Sequence, residues 1–368
     1  MNALAYDGLR EEALAMERRW LQMRSISGVA ACSEPVEKPP HSPPRAAWVT
    51  VLTNHAYSLG VVALANSLSE AETRFPLVVL VTDSVPASAR QRCSAAGCDV
   101  RDIERLSLPD GVGGGPAYAC AHFADCWHKL RVWELEEFDQ VALLDADMVV
   151  LKNMDELLTR ALNAGCCVRA VHECFCNVSR GGEPCPYIGQ TGLFFKGAGD
   201  AEGLLTGGRA AYFNSGLVVL RPSRAVFAHM QAALAVSDLS RFAFPDQDFL
   251  NEYFSCAWEV LPYIYNATKG MHSAHRRGGP WDLASVRNLH FTMAKPWDLR
   301  HPCHKGYERL NQLWHAAYAE PNTLSRVLLQ VHLAEKRARR LEQQQEQQQQ
   351  HDTTASTSTQ ASPEANGV

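Results

Sequence analysis

The chain has 368 residues, of which 46% are hydrophobic and 20% charged, and a formal net charge of -5. These values place it among soluble globular proteins able to bury a large core, as one big α/β domain or two smaller ones. Mild acidity, with no Lys/Arg run outside Lys336 to Arg340, argues against a nucleic-acid partner or a polybasic membrane surface.

In chain order, residues 1–46 read as an extension: an amphipathic helical piece from Arg10 to Arg24, then a Pro-rich connector from Pro35 to Pro44 in which proline forbids regular helix. The amino terminus has no basic region followed by a continuous apolar core, so no secretory signal is expected. From residue 47 the texture changes. Trp48 to Leu52 predicts a strand, Ala56 to Ser69 a helix, Leu77 to Val81 a strand and Pro86 to Ala96 a helix. That alternation predicts an α/β fold with a mainly parallel sheet flanked by helices and ligands beyond the carboxyl ends of the strands. Gly111 to Gly115 lacks the Gly-Lys-Ser/Thr ending of a phosphate loop and reads as a surface loop, followed by a helix from Phe123 to Glu137. Phe213 to Leu220 predicts a turn feeding a strand, and Phe244 to Phe254 a helix started by Pro245. The core region ends near residue 320. A Leu-spaced helix over 321–342 and a Gln/Ser/Thr-rich tail over 343–368 follow, and the tail has too few apolar residues to offset its ordering entropy, so disorder is expected there. The apolar runs are strand-sized, so no transmembrane segment is expected, and the location expected is cytoplasmic.

Between these elements lies the sequence's main chemical signal, Asp145-Ala146-Asp147, directly after the apolar run Val141 to Leu144. A strand of that kind is buried on both faces, so carboxylates at its end must be solvated, paired or bound to a cation. Two short carboxylates there can share one hard divalent ion, although a capped strand end, of the kind Asn153 or Asp155 could also provide, explains the pair equally well on its own. The 12 cysteines read as reduced thiols without a disulfide framework. The cluster Cys166, Cys167, Cys174, Cys176 and Cys185, with His172 nearby, matches no regular Cys-x2-Cys zinc spacing, and reduced thiols are the expected state there too. Asn177-Val178-Ser179 and Asn266-Ala267-Thr268 are glycosylation sequons, with meaning only in a secretory compartment.

Six segments stand in one order: Thr53-Asn54-His55-Ala56-Tyr57, Lys129-Leu130-Arg131-Val132-Trp133, Asp145-Ala146-Asp147, Phe213-Asn214-Ser215-Gly216, Asp246-Gln247-Asp248-Phe249-Leu250-Asn251 and His290-Phe291-Thr292-Met293-Ala294-Lys295-Pro296-Trp297. In content and order they closely resemble glycosyltransferase family 8, the retaining enzymes that include glycogenin and galactinol synthase, over about Trp48 to Tyr318. The resemblance implies a single Rossmann-like nucleotide-sugar transferase domain of the GT-A type over 47–320. It also implies a UDP-hexose donor, a polyol or saccharide acceptor, and manganese or another divalent cation held by Asp145, Asp147 and His290. Thr53, Asn54 and Tyr57 would lie near the uracil and ribose, Lys129 near the donor sugar or phosphate, and Asn214 and Ser215 along the sugar. Asp246 and Gln247 would face the reacting sugar, and Lys295 would meet the leaving phosphate. Each residue has a plainer reading: a buried core histidine, a solvated lysine, a strand-to-helix cap at Thr53 or Asn54. The resemblance leaves a homodimer open.

Two departures bear on substrate. Leu261-Pro262-Tyr263-Ile264-Tyr265-Asn266 resembles a glycogenin segment, but no Tyr follows before His290, so self-priming at the glycogenin position looks unavailable. Met293 stands where glycogenin's His-Phe-x-Gly stretch has Gly, and the loop to Lys295 is shorter, which implies a remodelled phosphate contact. His172-Glu173-Cys174-Phe175-Cys176 and Pro245-Asp246-Gln247-Asp248-Phe249-Leu250-Asn251 resemble galactinol-synthase stretches, so the nearer expectation is UDP-galactose with a polyol such as inositol. A glycogenin-like UDP-glucose enzyme is the alternative, and a non-catalytic UDP-binding scaffold a remote one.

Overall fold

A computed structural model describes residues 44–106, 121–163, 165–174, 176, 212–255, 257–276, 281–320 and 322–359. The N-terminal helical piece from Arg10 to Arg24, the loop Gly111 to Gly115 and the sequon at Asn177 fall outside these residues.

Ten strands are described: β1 (Ala46–Leu52), β2 (Leu77–Val81), β3 (Asp99–Asp102), β4 (Gln140–Leu144), β5 (Met148–Val150), β6 (Val168–His172), β7 (Phe213–Leu220), β8 (Trp258–Leu261), β9 (Ala267–Thr268) and β10 (Asn288–His290). The α-helices are α1 (Ser58–Glu70), α2 (Ala87–Ala95), α3 (Glu156–Thr159), α4 (Arg224–Val236), α5 (Pro245–Tyr253), α6 (Lys269–His275), α7 (Glu308–Ala319) and α8 (Leu324–Thr359).

Seven strands form one sheet in the order β3-β2-β1-β4-β7-β6-β8. Every neighbouring pair is parallel except the two made by β7, which runs antiparallel to β4 and to β6. The mainly parallel α/β architecture expected from the sequence is therefore present. Central strands such as β2 (Leu-Val-Val-Leu-Val) and β4 are buried at every position, as a sheet covered on both faces requires. Alternate residues feed two cores. Trp48, Val79, Ala142 and Leu217 pack with Leu64 of α1 and Leu313 and Trp314 of α7. Val49, Val78, Leu143 and Val218 pack with Phe227 and Met230 of α4 and Phe249 of α5. The edge strand β3, Asp-Val-Arg-Asp, carries charge where unpaired backbone would otherwise invite another chain.

A second, three-stranded sheet follows the order β5-β10-β9, with β10 antiparallel to β5 and parallel to β9. It begins where the large sheet ends: Asp145 N donates to Gly216 O at 2.8 Å, one last ladder bond beyond β4, and Phe291 N then donates to Asp147 O at 2.9 Å. The Asp-x-Asp pair is the hinge between the two sheets.

Two segments differ from the sequence reading. The helix expected over Phe123 to Glu137 is a 3-10 helix over Ala121–Glu134. Its buried residues include Trp127, Leu130 and Trp133 at every third position, which suits three residues per turn, with His128 and Val132 buried beside them. At the other end, α8 continues to Thr359, whereas the sequence reading ends it at residue 342 and expects a disordered tail. The first eight added residues are seven Gln and one Glu, good helix formers even without a core to face, whereas the Ser/Thr-rich remainder to Thr359 has no such propensity. The sequon residue Asn266 is buried, so in the folded chain it cannot serve as a glycosylation acceptor. Among the described residues no helix is long and apolar enough to cross a membrane.

Candidate active site

The parallel strands diverge in order at β1: the chain runs from β1 outward to β2 and β3, then returns to form β4 on the other side of β1. Such a switch point opens a crevice beyond the carboxyl ends of the two strands. Thr53 and Asn54 follow β1 there, and Asp145 follows β4. Because β7 is antiparallel, its amino-terminal residues Asn214, Ser215 and Gly216 arrive at the same end.

Asp145 and Asp147 lie where the chain turns between β4 and β5, and their carboxylates converge on His290. His290 Nε2 lies 3.3 Å from Asp147 Oδ1 and 3.8 Å from Asp145 Oδ2. One donor atom from each of the three lies within 4.8 Å of the others, so the set could hold a metal ion. Two carboxylates and an imidazole suit a divalent cation that takes oxygen and nitrogen ligands. The orientation of His290 is fixed from behind. Its Nδ1 is 2.9 Å from Asn266 Oδ1, while Asn266 Nδ2 donates to Asn214 Oδ1 at 2.8 Å. With its amide nitrogen committed to Asn214, Asn266 presents oxygen to the ring, so Nδ1 is a donor and Nε2 is the nitrogen that faces the carboxylates. Gly216 makes this approach possible: a Cβ on it would meet the His290 ring, 2.9 Å from Nδ1, and Asn214 Oδ1 at 2.8 Å.

Two lysines flank the carboxylates. Lys129 Nζ bridges Asp145 Oδ1 at 2.7 Å and Asp246 Oδ2 at 2.9 Å. Lys295 Nζ pairs with Asp147 Oδ2 and donates to Phe291 O at 3.2 Å. Burial works against the charged form of all three paired groups, but the pairing outweighs it. Both ammonium groups are held above the usual lysine range, and Lys295 and His290 hold the Asp147 carboxyl well below the usual carboxylate range. Lys269 of α6 is a further buried cation, bonded to Ala294 O; burial, with the nearby Lys295, lowers it to about 8.

The remaining expected residues divide by what they touch. Ser215 Oγ donates to Asp246 Oδ2 at 2.9 Å, and Ser215 N donates to Gln247 Oε1 at 3.0 Å, so the start of α5 is tied to β7 at two points. Asn251 completes the docking with bonds to both Phe213 N and Phe213 O. Tyr57 packs edge-on against Trp297 at 5.3 Å and under Lys295 at 5.8 Å, and burial pushes its hydroxyl up to about 12. Asn54 caps the short 3-10 helix His55–Tyr57 by accepting from Ala56 N and Tyr57 N. Thr53 O accepts from Ser84 Oγ at 2.7 Å.

Glu173 and Asn266 belong to this network and were not among the site residues expected from sequence. Glu173 Oε2 accepts from Asn214 and, at 3.4 Å, from Gln247 Nε2, so a continuous line runs Glu173, Asn214, Asn266, His290. Burial pushes the Glu173 carboxyl up, despite the bond from Asn214. Both lay inside segments already singled out, but nothing in a linear pattern tells which buried amide faces which ring.

Met293, the residue in place of the expected Gly, has φ 64° and a side chain 73% exposed. A left-handed backbone at a non-glycine residue costs about 1–2 kcal/mol, against about 0.5–1 kcal/mol for the extra freedom of an unfolded glycine. Met293→Gly is expected to stabilise the chain by roughly 0.5–1 kcal/mol in a denaturant titration. An unchanged or lower midpoint would show that the methionine side chain has a compensating contact.

The sequence model of the family described as Glycosyl transferase family 8 matches residues 48–300. Galactinol synthase 6 of Arabidopsis thaliana is 31% identical over 258 residues, 70% of this chain and 74% of that protein. Galactinol synthase 4 of the same plant is 32% identical over 264 residues, 71% of this chain and 76% of that protein. Galactinol synthase 1 of Solanum lycopersicum is 32% identical over 254 residues, 68% and 73% of the two chains. Among solved structures, the galactosyltransferase LgtC in complex with donor and acceptor sugar analogues superposes with a TM-score of 0.51 at 18% identity, covering 75% of this chain and 97% of that one. The bifunctional glycosyltransferase WbbM gives 0.51 at 18% identity, covering 79% and 52%. These neighbours share the fold, which is the GT-A arrangement.

Proposed function

The chain belongs to glycosyltransferase family 8, and from that membership and the geometry above we propose that it is a retaining, metal-dependent hexosyltransferase moving galactose from UDP-galactose to a polyol hydroxyl. That it is a glycosyltransferase follows from the family; donor, acceptor, stereochemistry and metal are the proposal. The observation that carries it is the meeting of Asp145, Asp147 and His290 with Lys295 and Lys129 in one crevice. The galactinol synthases among its relatives support galactose and a polyol.

Asp145, Asp147 and His290 would hold the cation, manganese in this reading. When bound it would act as a Lewis acid on the donor diphosphate. Lys295, held by Asp147 and Phe291 O, presents its ammonium for the departing phosphate, where a point charge can follow oxygens as the bond opens. With that charge met, no protein acid is needed at the leaving group. The bond from the anomeric carbon to the phosphate oxygen breaks, the acceptor oxygen bonds to the same face, and the acceptor proton passes to the departing phosphate, which retains the anomeric configuration. Asp246, its Oδ2 fixed by Lys129 and Ser215, supports the oxocarbenium-like carbon electrostatically. Gln247, held at its oxygen by Ser215 N and at its nitrogen by Glu173, orients the sugar. Asn214 and Ser215 line the sugar, Lys129 approaches it, and Thr53, Asn54 and Tyr57 read the uridine, where Tyr57 could stack on the base.

A panel of UDP-sugars with and without manganese, with inositol, glycerol or glycogen as acceptor, tests this reading. The expected result is manganese-dependent turnover of UDP-galactose, stimulated by a polyol, with a retained anomer in the product NMR spectrum. Preference for UDP-glucose with a glucan or protein acceptor would move the assignment to a glycogenin-like enzyme, and an inverted product would overturn the mechanism. UDP binding without turnover would point to a scaffold.

A further inference from the structure

We propose that the chain carries a second metal site, a zinc site made by Cys174, Cys176 and His275, which clamps the end of β6 to the end of α6. The three residues come from two segments far apart in sequence, yet one ligand atom from each lies within 4.8 Å of the other two. Cys174 Sγ is 3.2 Å from His275 Nε2, and both residues are buried, while Cys176 stands half-buried at the outer side. Zinc bonds to thiolate sulfur at about 2.3 Å and imidazole nitrogen at about 2.0–2.1 Å, so tetrahedral ligand atoms sit roughly 3.5–4 Å apart. The observed cluster, 3.2 Å at one edge and within 4.8 Å throughout, brackets that spacing.

The ligand chemistry separates this site from the crevice. Two thiolates and an imidazole favour zinc, whereas two carboxylates and an imidazole suit a harder ion such as manganese. Binding would release the two thiol protons to solvent, and these three residues supply three of the four ligands that zinc takes. A Cys-x-Cys pair is poorly suited to the alternative of an internal disulfide, which needs a defined Cβ separation and torsion that so short a ring strains.

The site's consequence runs through Glu173. Its Oε1 accepts from Cys174 N at 2.9 Å, while Oε2 accepts from Asn214 and Gln247. Fixing Cys174 therefore fixes the glutamate that begins the line to His290, and Glu173 becomes a positioning residue governed by the clamp. His275 closes the same helix whose first residue is the buried Lys269.

Cobalt is the probe, because tetrahedral cobalt-thiolate coordination gives a near-ultraviolet charge-transfer band that carboxylate and imidazole ligands do not. The full chain, purified reduced and stripped of metal, should develop that band with about one equivalent of cobalt and lose it to zinc. The band should persist in Asp147→Asn, which alters only the crevice, and fall at least tenfold in Cys176→Ser and His275→Gln. No thiolate band in the folded full chain would overturn the site. So would an undiminished band in either ligand variant, or a Cys174–Cys176 disulfide that survives reduction. The wild-type chain alone gives a decisive answer even where a variant does not fold: with the crevice already saturated by manganese, added zinc should raise the melting temperature further, and no further shift would also overturn the proposal.

Discussion

Asp147→Asn is expected to lower hexosyl transfer by at least about a thousandfold, a loss of roughly 4 kcal/mol of transition-state stabilisation, while the large sheet stays folded. Asp147 is the carboxylate nearest His290, at 3.3 Å, and it also carries the ion pair with Lys295. The substitution therefore removes a charge from the cation set and leaves the Lys295 ammonium, only 18% exposed, without its counter-charge. Losing one partner of such a pair costs up to about 3 kcal/mol of stability. The two effects separate in a double variant. Asp147→Asn with Lys295→Met should recover much of the lost stability and none of the activity. Turnover at saturating manganese, read beside a denaturant midpoint for each variant, checks both statements, and metal-dependent transfer within tenfold of wild type in Asp147→Asn would refute the assigned role.

Gly216→Ala is expected to be nearly as damaging, though it alters no charged group. The added methyl would meet the His290 ring and Asn214 Oδ1, and the bond from Asp145 N to Gly216 O ties this part of β7 to the end of β4, while the ladder to β6 shifts register beside it. The ring must move instead, breaking its bond to Asn266 and leaving a buried donor and acceptor unmatched at about 1–3 kcal/mol each. Disturbing a support behind a metal-binding histidine lowers affinity about 10–100-fold. Manganese titrations in the presence of UDP should show at least a tenfold weaker midpoint and a stability loss of roughly 2–4 kcal/mol. A midpoint within threefold of wild type would mean that the strand yields and the close approach is not required.

The contrast between these two positions marks what the sequence could convey. The carboxylate pair was legible because an apolar strand ending in Asp145 and Asp147 is chemically anomalous by itself. The parallel sheet was legible because β2 and β4 are uninterrupted apolar runs, and α5 because Pro245 opens it. The small sheet was not: β5 and β10 have three residues each and β9 two, too short for any period to register. The line from Glu173 to His290 was equally invisible, since its direction depends on which way two amides turn once buried. The helix α8 passed its expected end because a low apolar content argues only against packing, and the Gln-rich stretch to Gln350 has helix propensity without it.

The arrival of His290 on the small sheet has a consequence for biosynthesis. Asp145 and Asp147 leave the ribosome well before Asn266 and His290, and β5 has no partner in its own sheet until β9 and β10 exist. A nascent chain that has completed β4 therefore holds the carboxylates without the histidine, and the full cation set can form only after nearly the whole catalytic domain has emerged. A ligand that binds this set stabilises only finished molecules. Damage confined to β9 or β10 should then be felt in the cell as failed rescue by substrate, long before the large sheet itself gives way.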